Sequence, residues 1–210
     1  MHPLPLRRGL YLITPEEADV THLLERVLPV LPLACCLQLR NKVMDAPALR
    51  KVGRRLRREC HDAGVAFIVN DDPRLAHEFG ADGVHLGEHD GAIADARNLL
   101  GDGAIIGASC YDDLQIARDA VAAGANYVAF GAFFPSPTKP HARRANTTLL
   151  RASAGLHVPR VAIGGITPDN ARSLVVAGAD LIAVISGVFD APDPIAAARA
   201  YLSCFEEDAR

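Results

Sequence analysis

The sequence carries no excess of positive charge: 22 lysines and arginines stand against 25 aspartates and glutamates, a formal net charge of −3. That counts against a nucleic-acid binder, because neutralising many phosphates needs a basic face. Any phosphate ligand must then be met by a local cluster of cations, amides and metal. Long hydrophobic runs are missing too. The greasiest stretch, Val27 to Leu39, is too short to span a bilayer and contains Pro29 and Pro32. The opening Met1-His2-Pro3-Leu4-Pro5-Leu6-Arg7-Arg8 lacks the apolar core of a signal peptide. The five cysteines, Cys35, Cys36, Cys60, Cys110 and Cys204, follow no disulfide or metal-ligand spacing and read as reduced thiols of a cytoplasmic protein. Adjacent Cys35 and Cys36 cannot face the same side of a strand, and both read as packing residues. Low-complexity tracts and linkers are also lacking.

What is present is periodic. The 210 residues, half of them hydrophobic and 22% charged, suit one globular domain spanning 1–210. Apolar runs of strand length recur at Gly9–Ile13, Ala34–Leu39, Ala66–Val69, Gly83–Leu86, Ala104–Ala108, Tyr127–Phe130, Arg160–Ile163 and Leu181–Ile185. Most are continuous in apolar residues rather than alternating, as parallel strands covered by helices must be. Helical stripes lie between them, such as Ala48-Val52-Leu56-Cys60 and Leu114-Ala117-Val121-Ala122. Thr167-Pro168-Asp169 opens a helix with a capping residue and a first-turn proline. A helix-to-strand joint recurs at Ala63-Gly64-Val65-Ala66, Phe79-Gly80-Ala81-Asp82, Ala123-Gly124-Ala125-Asn126 and Ala177-Gly178-Ala179-Asp180. Eight alternating units predict an α/β fold, a single (β/α)8 TIM barrel. The rival, a doubly wound open sheet, needs shorter edge strands and a glycine-rich dinucleotide loop, and neither is found.

In such a barrel the chemistry collects just after each strand. After the second strand, Gln38 and Arg40 lie two apart, hence on one face, with Lys42 beyond them. A guanidinium and an ammonium so placed suit a diphosphate, or form a solvated basic patch. After the third strand comes Asn70-Asp71-Asp72, where Asp72 before Pro73 reads as a helix cap and Asp71 is left over. Gly87-Glu88-His89-Asp90 supplies a carboxylate one strand further round. Carboxylates on neighbouring strand ends facing a diphosphate cradle describe a magnesium site, the phosphates completing the shell. His85 lies inside the fourth strand and reads as a packed core histidine more than a catalyst. Ser109 puts a hydroxyl after the fifth strand. Ser136-Pro137-Thr138-Lys139 reads as an anion-binding lid or as a polar surface loop. The seventh and eighth strands end in Gly164-Gly165-Ile166 and Ile185-Ser186-Gly187. Loops after these two strands commonly bind phosphate in this fold. No Ser-His-Asp or Cys-His arrangement is found.

Taken in order, these motifs resemble thiamine-phosphate synthase, also called thiamine-phosphate pyrophosphorylase, along nearly the whole chain. The carriers are Tyr11-Leu12-Ile13-Thr14, Gln38-x-Arg40-x-Lys42, Asn70-Asp71-Asp72, Gly83-Val84-His85-Leu86-Gly87-x-x-Asp90, Pro137-Thr138-Lys139 and Gly164-Gly165-Ile166. The resemblance implies an enzyme joining 4-amino-2-methyl-5-hydroxymethylpyrimidine diphosphate to a thiazole phosphate, with magnesium and with release of pyrophosphate. It implies that Gln38, Arg40, Lys42, Asn70, Ser109 and Lys139 hold the pyrimidine diphosphate, with Arg40, Ser109 and Lys139 as the catalytic set. It further implies that Asp71 and Asp90 hold magnesium. Ser136, Thr138, Gly165, Ile185 and Ser186 would contact the thiazole phosphate, while Leu39, Asn41 and Pro137 act through backbone or shape. Partners are then small-molecule substrates only, with no nucleic acid and no membrane, and the oligomeric state is left open. Three positions depart from the family's usual pattern: Glu88 for glutamine, Ser136 for threonine and Tyr111 for histidine. A thiazole tautomerase of the same fold, expected to lack the diphosphate cradle and paired acids, and another phosphate-binding barrel enzyme are the alternatives.

Overall fold

The computed structural model describes residues 6–135 and 143–206. Eight parallel strands close into a ring in sequence order: β1 (Gly9–Ile13), β2 (Cys36–Leu39), β3 (Ala66–Asn70), β4 (Gly83–Leu86), β5 (Ile105–Tyr111), β6 (Tyr127–Phe130), β7 (Arg160–Ile163) and β8 (Leu181–Val184). Outside run α1 (Val20–Val27), α2 (Ala46–Ala63), α3 (Pro73–Phe79), α4 (Ile93–Leu100), α5 (Leu114–Ala122), α6 (Thr147–Ala152) and α7 (Pro168–Val176). The chain then passes through a short α8 (Ser186–Phe189) into α9 (Pro194–Glu206). This is the (β/α)8 barrel expected, and the closed ring disposes of the open-sheet rival. None of the helices among the described residues is long and apolar enough to cross a membrane.

Alternation along each strand divides the apolar residues into two cores. Leu10, Leu12, Leu37, Phe67, Val69, Val84 and their neighbours face outward and pack beneath the helices. Tyr11, Ile13, Cys36, Ala66, Ile68, Tyr127, Val161 and Leu181 face inward and fill the barrel. The same parity directs Gln38, Asn70, His85 and Ser109 into the mouth. Asp19, Asp45, Asp72, Asp113 and Asn146 start their helices by accepting hydrogen bonds from first-turn amides.

Several strand ends move from their expected places, β3 running one residue further to Asn70. β2 starts at Cys36 rather than Ala34, because Leu31–Leu33 forms a 3-10 turn and the Ala34 N–H bonds Leu31 O at 3.0 Å. β5 runs past Ala108 to Tyr111, with a register shift against β6 between Ser109 and Tyr111. Ser109 is therefore part of the wall rather than the loop beyond it. β8 stops at Val184, leaving Ile185 as the residue before α8.

The recurring joint explains how the far end of the barrel is sealed. Asp82, Asn126 and Asp180 each accept a hydrogen bond from an amide of the preceding strand: Phe67 at 2.8 Å, Ile106 at 2.8 Å and Arg160 at 2.9 Å. Each returns its own N–H to the carbonyl of that same residue, at 2.9, 2.7 and 2.8 Å. Arg57, Arg97 and Arg160 back the three side chains, at 3.9, 2.6 and 3.1 Å. The clamps tie β4 to β3, β6 to β5 and β8 to β7. The first joint has Ala66 in this place and no clamp. Its helix, like the one before β4, ends on a glycine in the left-handed region, Gly64 at φ 68° and Gly80 at φ 61°.

Candidate active site

Five inward side chains from five strands form one hydrogen-bonded line across the barrel. Gln38 Nε2 donates to Tyr11 Oη at 2.7 Å, and Tyr11 Oη meets Tyr127 Oη at 2.8 Å. Tyr127 Oη meets His85 Nδ1 at 2.9 Å, and His85 Nε2 meets Ser109 Oγ at 2.9 Å. Gln38, Tyr11 and Tyr127 are buried, while His85 and Ser109 border the mouth. The line exists because Gly107 lacks a side chain: a Cβ there would lie 1.9 Å from the Tyr127 ring and 2.3 Å from its hydroxyl. Burial pushes His85 down to about 4, against the pull of the Asp90 carboxylate, so the imidazole is neutral near pH 7. Burial raises the Tyr11 and Tyr127 phenols well above their usual range. The expectation of His85 as a satisfied core histidine agrees with its two filled ring nitrogens. It is also a neighbour of Ser109.

Charged groups gather above this wall. Lys42 Nζ lies 3.3 Å from Asp71 Oδ2. Asp71 follows β3 in the left-handed region at φ 65°, which aspartate tolerates better than most residues. Burial raises its pKa, and the Asp90 carboxyl, within hydrogen-bonding reach, raises it further, with Lys42 opposing. Asp90 is oriented by the Gly87 N–H at 2.8 Å. Two hard oxygen donors from neighbouring strand ends, crowded enough to resist ionising together, fit a divalent cation. Among the described residues no group of three or more His, Cys, Asp or Glu side chains forms a metal cage. Asp72 caps α3 by accepting from Arg74 N–H and Leu75 N–H, the division of labour its sequence position implied.

The rest of the β2 end is less open than its sequence suggests. Arg40 Nη1 pairs with Glu16 Oε1, and Glu16 Oε2 accepts from Lys42 N–H at 2.8 Å. Thr14 Oγ1 brackets the Arg40 backbone, donating to its carbonyl at 2.7 Å and accepting from its N–H at 2.9 Å. Asn41 spends its side chain on the loop, bonding Glu17 O, Val43 N–H and Met44 N–H. Leu39, Asn41, Lys42, Asn70 and Asp71 still line a common small hollow. A larger hollow between α1 and the C-terminal helices, lined in part by Arg26, Pro29, Phe189 and Ile195, shares none of these residues. Glu88 is exposed beside Asp90. Tyr111 holds φ 53° with Arg143 stacked 5.4 Å above its ring.

Across the mouth, Gly165 sits at φ 63°, and a Cβ there would fall 2.3 Å from Pro135 O and 2.7 Å from Phe134 O. Glycine is required by that backbone-to-backbone contact as well as by any ligand. Ile185 extends the inward row of β8, and Ser186 opens α8 with an amide that has no partner inside its own helix. Ser136, Pro137, Thr138 and Lys139 lie outside the described residues. Two groups escape a reading confined to the residues after strands. Glu16 carries no motif. Tyr11 and Tyr127 are inward polar atoms in otherwise apolar strands, and strand parity could have found them.

Known proteins resemble the chain along nearly its whole length. The pattern of the family described as Thiamine monophosphate synthase matches residues 10–188. The thiamine-phosphate synthase of Xanthomonas campestris pv. campestris (strain 8004) is 56% identical over 207 residues, 99% of this chain and 100% of that one. The thiamine-phosphate synthase of Azoarcus sp. (strain BH72) is 57% identical over 202 residues, 94% of this chain and 97% of its own. Among solved structures, the thiamine phosphate pyrophosphorylase from Pyrococcus furiosus superposes with a TM-score of 0.86 at 33% identity, covering 98% of both chains.

Proposed function

The chain belongs to the thiamine monophosphate synthase family, and on that premise we propose that it is a magnesium-dependent transferase of thiamine biosynthesis. It joins 4-amino-2-methyl-5-hydroxymethylpyrimidine diphosphate to 4-methyl-5-(2-phosphoethyl)thiazole, giving thiamine phosphate and pyrophosphate; from the carboxylated form of the thiazole the same products come with one carbon dioxide. The carrying observation is the Lys42–Asp71–Asp90 cluster set above the polar wall that runs from Gln38 to Ser109.

The bond from the pyrimidine methylene carbon to the diphosphate oxygen breaks, and its electron pair leaves with pyrophosphate. The electron-rich aminopyrimidine steadies the methylene cation, and the thiazole nitrogen lone pair closes the new carbon–nitrogen bond. Little proton transfer is asked of the protein, in keeping with the missing catalytic triad. What is required is charge stabilisation and alignment. Arg40, Lys42 and Lys139 would balance the charge of the leaving diphosphate, while Gln38, Asn70 and Ser109 would hold the pyrimidine. Asp71 and Asp90 would hold magnesium, which supplies Lewis-acid stabilisation of the leaving oxygens. Gly165, Ile185 and Ser186, with Ser136 and Thr138, hold the thiazole phosphate in line. We place the reaction in the cytoplasm, where five free cysteines stay reduced. Incubation with both substrates and magnesium should yield thiamine phosphate and pyrophosphate in equal amounts. Activity should vanish with a chelator and return with magnesium. Full turnover in metal-free buffer, or no product with both substrates present, would overturn the reading.

A further inference from the structure

The line from Gln38 to Ser109 has a property that none of its members has alone. A hydroxyl owns one proton and a neutral imidazole one N–H, so each link can be made in only one sense at a time. With the Gln38 amide nitrogen donating to Tyr11, Tyr11 donates to Tyr127 and Tyr127 to His85 Nδ1. The His85 proton is then on Nε2, donated to Ser109. Two functions are left for the mouth. The Gln38 carbonyl oxygen, which makes no hydrogen bond among the described residues, is an acceptor, and the Ser109 hydroxyl proton is a donor. Turning the Gln38 amide over reverses every link and exchanges both roles together. A mixed state would set proton against proton, or lone pair against lone pair, between buried groups, where an unmade hydrogen bond is costly. The Cys36 thiol also lies beside Tyr11, but sulfur is a weak acceptor beside a phenol oxygen. The geometry leaves little slack. The His85 and Tyr127 rings stack 5.5 Å apart at 20°, and Tyr11 meets Tyr127 edge-on at 6.0 Å.

We propose that Tyr11, Tyr127 and His85 are positioning residues that tie Gln38 and Ser109 into opposite hydrogen-bonding roles, so that the site takes a ligand edge donating at Gln38 and accepting at Ser109. This rests on the proposed function, in which the ligand at these walls is an aminopyrimidine: its amino group donates and its ring nitrogens accept. An edge that donates at both places, or accepts at both, finds no consistent state of the line. The specificity lies in the interior of the barrel, beyond the reach of the ligand.

The test reads a proton at one end after a change at the other. Nitrogen-15 spectra of the histidine-labelled protein, with His85 assigned by its loss in His85→Gln, should show one neutral tautomer protonated at Nε2. Gln38→Glu, read where the new carboxylate is ionised, can only accept from Tyr11. It should move the His85 proton to Nδ1, three hydrogen bonds from the substitution. In a Tyr127→Phe background the same change should leave His85 where it was. Tyr127→Phe alone keeps the ring and should give mixed tautomers, with up to about tenfold weaker binding of the pyrimidine diphosphate and unchanged binding of the thiazole phosphate. A His85 proton that stays on Nε2 in folded Gln38→Glu overturns the coupling, as does a single unchanged tautomer in Tyr127→Phe. A parent protein that makes no thiamine phosphate overturns the proposed reaction instead and leaves the tautomer shift standing.

Discussion

Replacing Asp90 by asparagine should make the metal-free protein more stable and nearly inactive. Asp71 is half-buried, and its carboxyl is raised above the ordinary 3.8 first by burial and then by Asp90. Two unit charges about 4 Å apart repel by about 4 kcal/mol at an effective dielectric near 20. The Lys42 ammonium at 3.3 Å cancels much of this, and a third of the Asp71 side chain is open to solvent. Screening on that scale leaves roughly 1 kcal/mol. The amide oxygen of asparagine can still accept from Gly87 N–H, so the loop keeps its shape. The expected gain is about 1 kcal/mol, or about 2–4 °C in Tm for a domain of this size. The sign with pH follows from the raised folded-state value. An ionised Asp71 costs the folded state nothing below 3.8 and its full amount above the raised value. The stability of the parent in chelator should therefore fall as pH rises through the carboxylate range, and that fall should be smaller in Asp90→Asn. Magnesium with substrate should stabilise the parent more than the variant, and turnover of the variant should drop more than about a hundredfold. Urea unfolding across a pH series in chelator decides it. An Asp90→Asn protein no more stable than the parent at neutral pH, or with the same pH slope, would refute the crowded pair.

Other outcomes follow from the same geometry. Gly165→Val forces a side chain into the left-handed region, at a cost of roughly 1–2 kcal/mol before the contact with Pro135 O is counted. Calorimetric titration should show thiazole phosphate binding lost and pyrimidine diphosphate binding kept; equal weakening of both would merge the two anion sites into one. Asn126→Ala strips the acceptor from Ile106 N–H and a partner from Arg97, and should lower unfolding stability by about 1–3 kcal/mol without touching KM. Lys139→Ala should reduce turnover by roughly 10²–10³, the loss of one charged contact on the leaving group, and parent-like activity would remove Lys139 from the site. Glu88 is exposed, so Glu88→Gln should stay active, and a thousandfold loss on the scale of a missing metal ligand would place Glu88 in the metal's own shell.

The barrel was legible because its periodicities are local. Strand-length apolar runs, helix stripes and glycine joints each report on a few neighbouring residues, and eight repetitions agree. Boundaries were less legible where the cause lies elsewhere: β5 is lengthened by its register with β6, which no local pattern in Gly107–Tyr111 declares. In the site, strand ends announced Lys42, Asp71 and Asp90, and proline after Asp72 announced the cap. The line through Tyr11 and Tyr127 stayed hidden because both tyrosines read as ordinary apolar strand residues. Their hydroxyls acquire meaning only when a closed ring sets β1 against β6 across its interior. Glu16 was silent for the same reason, since its partners Arg40 and Lys42 lie on the next strand end.

The clamps at Asp82, Asn126 and Asp180 also carry a timetable. Each joins residues only 15 or 20 positions apart, so the loop closed to form it is short and quickly sampled. β3–β4, β5–β6 and β7–β8 can therefore zip as three separate β-α-β units, each with its own helix. The seam between β1 and β8 has no such shortcut: Gly9 N–H reaches Asp180 O from the opposite end of the chain. Assembly should run from local pairs to a late closure at β1. In native-state hydrogen exchange, the amides of Gly9 through Ile13 should open before those of Phe67, Ile106 and Arg160.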